Sequence, residues 1–249
     1  MISLLPIVKM ESSVSTPHCS FVIYLDKDAA IVGPFLQDLR SFFQKFPLHY
    51  ELVAVIEKGA SDCVRLLEQA QKESGERERL TLVPNARHLG RAESLRQCLN
   101  KASGNYLVLA DPVTATPLGD LFKILQNLMS EPTLDVCWGQ RLSKKDSPFL
   151  NSNSRRHHLE RFFNGILQER EKHISDSLCE IGGIKKEAWL QIKDFPKALK
   201  GWYLNPSLQK QIAKAGLKKI EIPIYDSGKT SASYSYWRER WHLLRQSIF

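Results

Sequence analysis

The chain has 249 residues, 43% of them hydrophobic, which is enough for one globular domain with a sizeable core. Lysine and arginine number 35 against 27 carboxylates, so the net charge of +8 favours an anionic partner such as a phosphate, a nucleic acid or a membrane surface. The lack of any run of about 18 apolar residues argues against a transmembrane helix, and five scattered cysteines without a CxxC pair argue against a zinc site.

Residues 1–18 predict a flexible lead-in, because serine and proline are frequent before the first apolar run. This segment lacks the basic start and small-residue cleavage site of a signal peptide. Together with unpaired cysteines, that composition predicts a cytoplasmic protein. We expect the folded domain to span residues 19–230.

Short apolar runs then alternate with amphipathic helical segments through the first half of the chain. The five predicted strands are residues 21–25, 51–56, 80–84, 106–110 and 135–139. Strands that are apolar on both faces and separated by helices are typical of a parallel sheet covered on both sides. The sequence therefore predicts an α/β fold in which five adjacent strands form a mostly parallel sheet.

The second half has a less regular pattern. The segments predicted there are a helix at 155–170, a short strand or turn at 178–184, helices at 185–192 and 206–215, and a strand at 220–224. Residues 231–249 predict an amphipathic C-terminal helix with Trp237 and Trp241 on its apolar face. Such a helix either packs on its own domain or lies on the inner face of a membrane, and both alternatives stay open.

Ligands of open α/β sheets bind beyond the carboxyl ends of the strands, so the residues at those ends are the candidates for a site. Asp28 follows the first strand. The second strand is followed by Glu57, by Gly59 in a predicted tight turn, and by Asp62. The two carboxylates are suited to accepting hydrogen bonds from a base or ribose, whereas Asp62, taken alone, favours capping of the next helix.

The third predicted strand is followed by a basic segment that opens a helix. Gly90 marks the helix start, with Arg87, His88 and Arg91 around it. Helix N-termini and arginines both favour phosphate.

The fourth predicted strand ends in one carboxylate, Asp111, between Ala110 and Pro112. Asp111 either ligates a metal ion, if Pro112 redirects the strand end, or caps a turn or helix start.

Several segments occur in the order found in one enzyme family. The segments are VIEKGASD (55–62), NARHLG (85–90), ASGNYLVLA (102–110), WGQR (138–141), ISDSLCEIGGIKKEAW (174–189) and LNPSLQKQIAKAGLKKIEIPI (204–224). In this order they resemble family 2 glycosyltransferases, which have a GT-A fold and include polyprenyl-phosphate sugar transferases. The resemblance covers about residues 19–230.

The resemblance implies a nucleotide-sugar donor and an anionic acceptor such as a polyprenyl phosphate. It places nucleotide-binding positions at Asp28, Glu57, Gly59, Asp62, Arg87, Gly90 and Arg91, phosphate- or acceptor-binding positions at Arg141, Lys185 and Lys186, and catalytic positions at Asp111 and Asp176. Lys185 and Lys186 also suit a solvated helix start. An acceptor phosphate is itself a nucleophile, whereas a hydroxyl acceptor needs a base, at the position of Asp176.

The departures from the family pattern concern the metal. The family's Asp-x-Asp falls on Ala110, Asp111 and Pro112, and Lys58 stands where the family has a carboxylate. The resemblance implies Mg or Mn, but these residues weaken the expected clamp on the diphosphate. Arginine and lysine offer a route without metal.

Two hypotheses follow, an active sugar transferase and a GT-A pseudoenzyme that serves as a binding or regulatory module. Nucleic-acid binding rests on net charge alone and is disfavoured, because no basic stripe with interleaved aromatic residues is predicted.

Overall fold

The sheet has seven strands, whose positions follow from the apolar runs of the sequence. The computed structural model describes residues 17–26, 29–46, 48–112, 117–141, 179–194 and 204–225. The strands are β1 (Cys19–Leu25), β2 (Tyr50–Ile56), β3 (Glu78–Pro84), β4 (Tyr106–Leu109), β5 (Val136–Arg141), β6 (Gly182–Lys185) and β7 (Lys219–Ile224). Every residue of β1 and β2 is buried, as expected for central strands covered on both faces.

Six helices connect or flank these strands in the described ranges. They are α1 (Ala29–Gln44), α2 (Ser61–Lys72), α3 (Arg91–Lys101), α4 (Leu118–Ser130), α5 (Lys186–Ile192) and α6 (Asn205–Lys214). Phe21 of β1 lies edge-on to Phe43 of α1 and Phe122 of α4, at 5.9 Å between ring centroids in both cases. Tyr24 of β1 points to the opposite face of the sheet, where Arg91 of α3 lies over its ring. Helices therefore cover both faces of the sheet.

The strand order is β3-β2-β1-β4-β6-β5-β7, and β6 is antiparallel to both of its neighbours. The remaining pairs are parallel. The prediction of a mostly parallel sheet is confirmed, but the expectation that the fifth predicted strand lies beside the fourth is wrong, because β6 separates β4 from β5. Two antiparallel pairings in succession return β5 to the direction of β4, so β4, β5 and β7 have their carboxyl ends on one edge.

Two glycines allow β6 to enter the sheet. A side chain at Gly182 would collide with the ring of Trp138 on β5, and one at Gly183 would lie 2.7 Å from Leu128 and 2.8 Å from Ile124 of α4. The Gly-Gly pair therefore reflects close packing on both faces of this strand.

The limits of the domain at residues 19 and 230 stay a prediction, since residues 1–16 and 226–249 lie outside the described ranges. The predicted helices at 155–170 and 231–249 lie outside them as well. None of the described helices is long and apolar enough to cross a bilayer.

Candidate active site

Polar residues from four neighbouring strands converge at the carboxyl edge of the sheet. Asp26 follows β1, Glu57 follows β2, Asn85 follows β3 and Asp111 follows β4. The fifth member is Arg91, whose guanidinium carbon lies 6.0 Å from the centroid of the Tyr24 ring. This edge is where α/β sheets bind their ligands.

Glu57 faces the interior and organises the loop that follows β3. The residue is 2% exposed, and its carboxylate accepts hydrogen bonds from the Tyr24 hydroxyl at 3.2 Å, the Asn85 amide at 3.3 Å and the Leu89 backbone N–H at 3.2 Å. Burial, and then the charge of Glu57, raise the pKa of Tyr24, so its hydroxyl keeps its proton and stays a donor. Glu57 therefore holds the loop from Asn85 to Leu89, and its contact with a base or ribose stays a prediction.

The turn after Glu57 contains Gly59 with a φ of 95°, a conformation that favours glycine. The N-cap of α2 is Ala60, without a side-chain cap, so Asp62 does not cap this helix. The Asp62 side chain is 75% exposed and lies 3.8 Å from Arg65. The Asp62 side chain therefore lies in solvent beside the carboxyl edge of the sheet.

The loop before α3 presents basic groups to solvent. Arg87 and His88 are exposed, and His88 Nδ1 lies 3.5 Å from the Glu57 carboxylate. Gly90 has a φ of 86° and is the N-cap of α3, so the chain turns there and directs the next residue, Arg91, inward.

Arg91 is 3% exposed and joins two carboxylates. One guanidinium nitrogen lies 3.1 Å from Asp111 Oδ2 and the other lies 3.1 Å from Glu180 Oε2. The other Glu180 oxygen accepts a hydrogen bond of 2.8 Å from the backbone N–H of Asn205, at the start of α6. Arg91, at the start of α3, therefore connects the end of β4 with the segment before β6.

Glu180 was not predicted as a site residue. Burial raises its pKa, and the charge of Arg91 opposes that shift. The sequence does contain one indication of this role, because Glu180 is a lone carboxylate in the apolar run Leu178 to Ile184 and a buried carboxylate needs a partner.

The phosphate-binding candidates lie at two opposite edges. Arg141 ends β5 and is half-buried at the carboxyl edge, as expected. Lys185 pairs with Tyr106, the first residue of β4, and so lies at the amino edge. Lys185 Nζ donates to the carbonyls of Glu131 and Pro132 at 3.1 and 2.7 Å, and Lys186 Nζ donates to that of Ala102 at 2.6 Å.

The expectation that Lys185 and Lys186 reach the pocket is therefore wrong, because β6 runs antiparallel and carries its end away from it. Asp28 and Asp176, the other two predicted site residues, lie outside the described residues.

A family model described as "Glycosyl transferase family 2" matches residues 35–189, more than half of the chain. The chain belongs to glycosyl transferase family 2. This confirms the family suggested by the sequence motifs. A comparison with curated proteins gave no match.

Three solved structures share this fold. The mannosyltransferase PcManGT from Pyrobaculum calidifontis, solved with GDP-Man and Mn2+, is 18% identical with a TM-score of 0.59, over 93% of this chain and 63% of that one. Mannosyl-3-phosphoglycerate synthase from Rubrobacter xylanophilus is 11% identical with a TM-score of 0.68, over 93% and 73%. Glucosyl-3-phosphoglycerate synthase from Mycobacterium tuberculosis, solved with Mn2+, UDP and glucosyl-3-phosphoglycerate, is 13% identical with a TM-score of 0.59, over 93% and 77%.

These similarities establish the GT-A fold of this family 2 chain. The chain spans 63% of the length of PcManGT, somewhat less than two thirds.

Among the described residues, the end of β4 in this family 2 chain offers a divalent ion one carboxylate, that of Asp111. Ala110 and Pro112 are both buried and offer no side-chain oxygen, and the carboxylate between them is engaged by Arg91. Mg and Mn require several oxygen ligands. Among the residues that the structure describes, no group of three or more histidines, cysteines or carboxylates is arranged to hold a metal.

Proposed function

We propose that this chain binds a nucleotide-sugar donor at the carboxyl edge of β1 to β4 and transfers the sugar to an anionic acceptor such as a polyprenyl phosphate. The observation that carries the proposal is the convergence of Asp26, Glu57, Asn85, Arg91 and Asp111 at that one edge. Ligands of open α/β sheets bind at this edge, where exposed polar groups follow the same strand ends.

The donor-binding groups in this proposal are those at the rim. Asp62 and the backbone of the Gly59 turn are suited to the base or ribose, because both are exposed beside the end of β2. Arg87, exposed before α3 beside the end of β3, is our candidate for the nucleotide, and Arg141, which ends β5 on the same edge, is our candidate for the diphosphate. Asp28 and Gly90 complete the set, Gly90 through the turn that brings α3 to the site.

The reaction we propose is a displacement at the sugar. An oxygen of the acceptor phosphate attacks the anomeric carbon, the bond from that carbon to the diphosphate breaks, and the nucleoside diphosphate leaves with the electron pair. An ionised phosphate has no proton to lose, so this step needs no protein base. For a hydroxyl acceptor, Asp176 is our candidate to take the proton.

A second function, a binding module without transferase activity, is favoured by one observation. Arg91 and Asp111 are paired with each other in the site, and Arg91 is also paired with Glu180. Charged groups that satisfy one another contribute less to a transition state than groups directed at the substrate.

Calorimetry tests donor binding directly. We expect UDP-glucose or GDP-mannose to bind the full chain and Arg141→Ala to weaken that binding by about tenfold or more, since a charge-assisted contact to phosphate is lost. Lys185→Ala is the matched control, because it removes a positive charge at the opposite edge. Absence of binding by any nucleotide sugar would contradict both functions.

Product formation separates the two functions. Full-length protein is incubated with radiolabelled nucleotide sugar and a polyprenyl phosphate in detergent, and label in the lipid extract is counted. Label in the extract supports the transferase. Binding in the calorimeter without transfer to the lipid phosphate or to a hydroxyl acceptor supports the binding module.

We also propose peripheral membrane contact through residues 231–249, on the basis of their basic amphipathic pattern with Trp237 and Trp241. Co-sedimentation with anionic liposomes, comparing the full chain with one ending at Ser235, tests this contact. Equal pelleting of the two forms would contradict it.

A further inference from the structure

The contact between Arg91 and its two carboxylates spans two adjacent strand ends. Leu109 of β4 is paired with Gly182 of β6, and Asp111 and Glu180 each lie two residues beyond that pair, on the same edge. Arg91 reaches them from the first residue of α3, with one nitrogen at 3.1 Å from each carboxylate. The guanidinium thus lies between groups from two separate strands, in a position where it is 3% exposed.

A cation fixed at this point changes what Asp111 can bind. Arginine is a permanent cation in proteins, and its planar fork is well matched to carboxylates. A divalent ion approaching Asp111 would meet a positive charge at 3.1 Å from the same carboxylate oxygen. Like charges in such proximity repel strongly where water is scarce, and Ala110 and Pro112 contribute no oxygen ligand to offset that repulsion.

We infer that Arg91 is the resident cation of this site. Its guanidinium is paired with Asp111, so that no divalent metal binds at the end of β4 and the donor binds without metal. The part that concerns the donor rests on the proposed function. The exclusion of metal from Asp111 rests on the geometry alone. In this scheme Arg91 is a positioning residue, which acts through Asp111 and Glu180.

The first experiment measures metal binding without any nucleotide. Mn2+ is titrated into the full-length protein, and the free ion is quantified by electron paramagnetic resonance. We expect the wild type and Asp111→Asn to leave the same free Mn2+ signal at every concentration. Mn2+ binding by the wild type that is lost in Asp111→Asn would overturn the inference.

The second experiment removes the resident cation. Arg91→Met keeps an apolar side chain in place of the guanidinium, and we expect its Mn2+ affinity to rise by about tenfold or more, because a like charge no longer faces the ion. Asp111→Asn in the Arg91→Met background should abolish the gain, and Lys185→Met, at the far edge, should not produce it. A folded Arg91→Met protein without this gain would overturn the inference, and if circular dichroism shows that the variant is unfolded, the wild-type titration decides.

The third measurement concerns the donor. Calorimetry of the nucleotide sugar in EDTA and in Mn2+ should give dissociation constants that agree within about twofold, which is a small free energy on the binding scale. Binding that requires Mn2+ and is lost in Asp111→Asn would overturn the inference while leaving the proposed function intact. If no nucleotide sugar binds, the proposed function is contradicted. The Mn2+ titration still tests whether metal is excluded from Asp111.

Discussion

Glu51 is a buried carboxylate on β2, at the edge opposite the candidate site. It accepts hydrogen bonds from the Ser20 hydroxyl at 2.6 Å, the Thr81 hydroxyl at 2.9 Å, and the Ser103 N–H and hydroxyl at 2.8 and 2.9 Å. Burial alone raises its pKa, but the hydrogen bonds from Ser103, Ser20 and Thr81 outweigh burial and hold the pKa below its ordinary value. Glu51 therefore joins β1, β2 and β3 to the turn before β4.

The pKa of Glu51 gives a pH dependence with a defined sign. Because the pKa is lower in the folded state, the ionised carboxylate stabilises the fold above the unfolded pKa of about 4.3, and this stabilisation is lost as the pH falls further. We expect Glu51→Gln to lower the free energy of unfolding by about 1–3 kcal/mol at pH 7 and by less at pH 3 to 4. Urea unfolding at both pH values measures this, with exposed Glu68→Gln as control, and an equal loss at both would contradict it.

Replacement of Gly104 or Gly59 by alanine should lower the free energy of unfolding for different reasons. A Cβ at Gly104 would lie 2.6 Å from the backbone carbon of Cys19, whereas at Gly59 it would meet nothing within 4 Å and only the φ of 95° is unfavourable. We expect Gly59→Ala to cost about 1–2 kcal/mol and Gly104→Ala to reach or exceed the upper end of the about 1–3 kcal/mol typical of overpacking. Chemical denaturation of both variants measures the difference, and a larger loss in Gly59→Ala would contradict it.

At the scale of elements, Arg91 and Glu180 hold together the start of α3, the segment before β6 and the start of α6. Removal of one member of a buried ion pair leaves the other charge without compensation, so Arg91→Ala should cost about 3–5 kcal/mol. A double-mutant cycle with Glu180→Gln should give a coupling energy of about 1–3 kcal/mol. Urea unfolding of the four proteins supplies the cycle.

The matched control for this cycle is the exposed pair Asp62 and Arg65, at 3.8 Å on the surface of α2. Its coupling energy should stay below about 0.5 kcal/mol, because solvent screens exposed ion pairs. Coupling energies of the same size in both cycles would mean that the Arg91 bridge does not connect these elements energetically.

The strands were predictable because their apolar runs are continuous. β2 was predicted at residues 51–56 and is Tyr50–Ile56, and β7 was predicted at residues 220–224 and is Lys219–Ile224. The insertion of β6 between β4 and β5 was not predictable, since it depends on pairing between residues far apart in the chain. The placement of Lys185 and Lys186 failed for the same reason, because a reversed strand direction exchanges the two edges of the sheet.

Within the site, the sequence indicated the positions at the strand ends but not their partners. Glu57 and Asp111 were identified from the runs that precede them, whereas the inward direction of Glu57 depends on Tyr24 and Asn85. Glu180 was missed because the contact with Arg91 joins residues 89 positions apart. Spacing along the chain carries no signal of such a contact.

At the scale of the whole molecule, the two edges of the sheet have separate tasks. The carboxyl edge carries the candidate site, and the amino edge carries the Glu51 network with Lys186 bonded to Ala102. We expect added nucleotide sugar to slow amide hydrogen exchange at residues 57–62 and 85–94 and to leave residues 102–106 and 183–186 unchanged, because bound ligand stabilises the elements that it contacts. Mass spectrometry of the exchanged peptides checks this, and slowed exchange at the amino edge instead would place the donor elsewhere.

The reversed direction of β6 has a consequence for engineering. β5 finishes at Arg141 and β6 starts at Gly182, and both positions border the candidate site. The chain between these two residues therefore leaves the sheet and returns to it at the carboxyl edge. A chimera that exchanges only this stretch with a relative's would therefore change a segment whose two ends border the candidate site, while β1 to β4 keep their own hydrogen bonds.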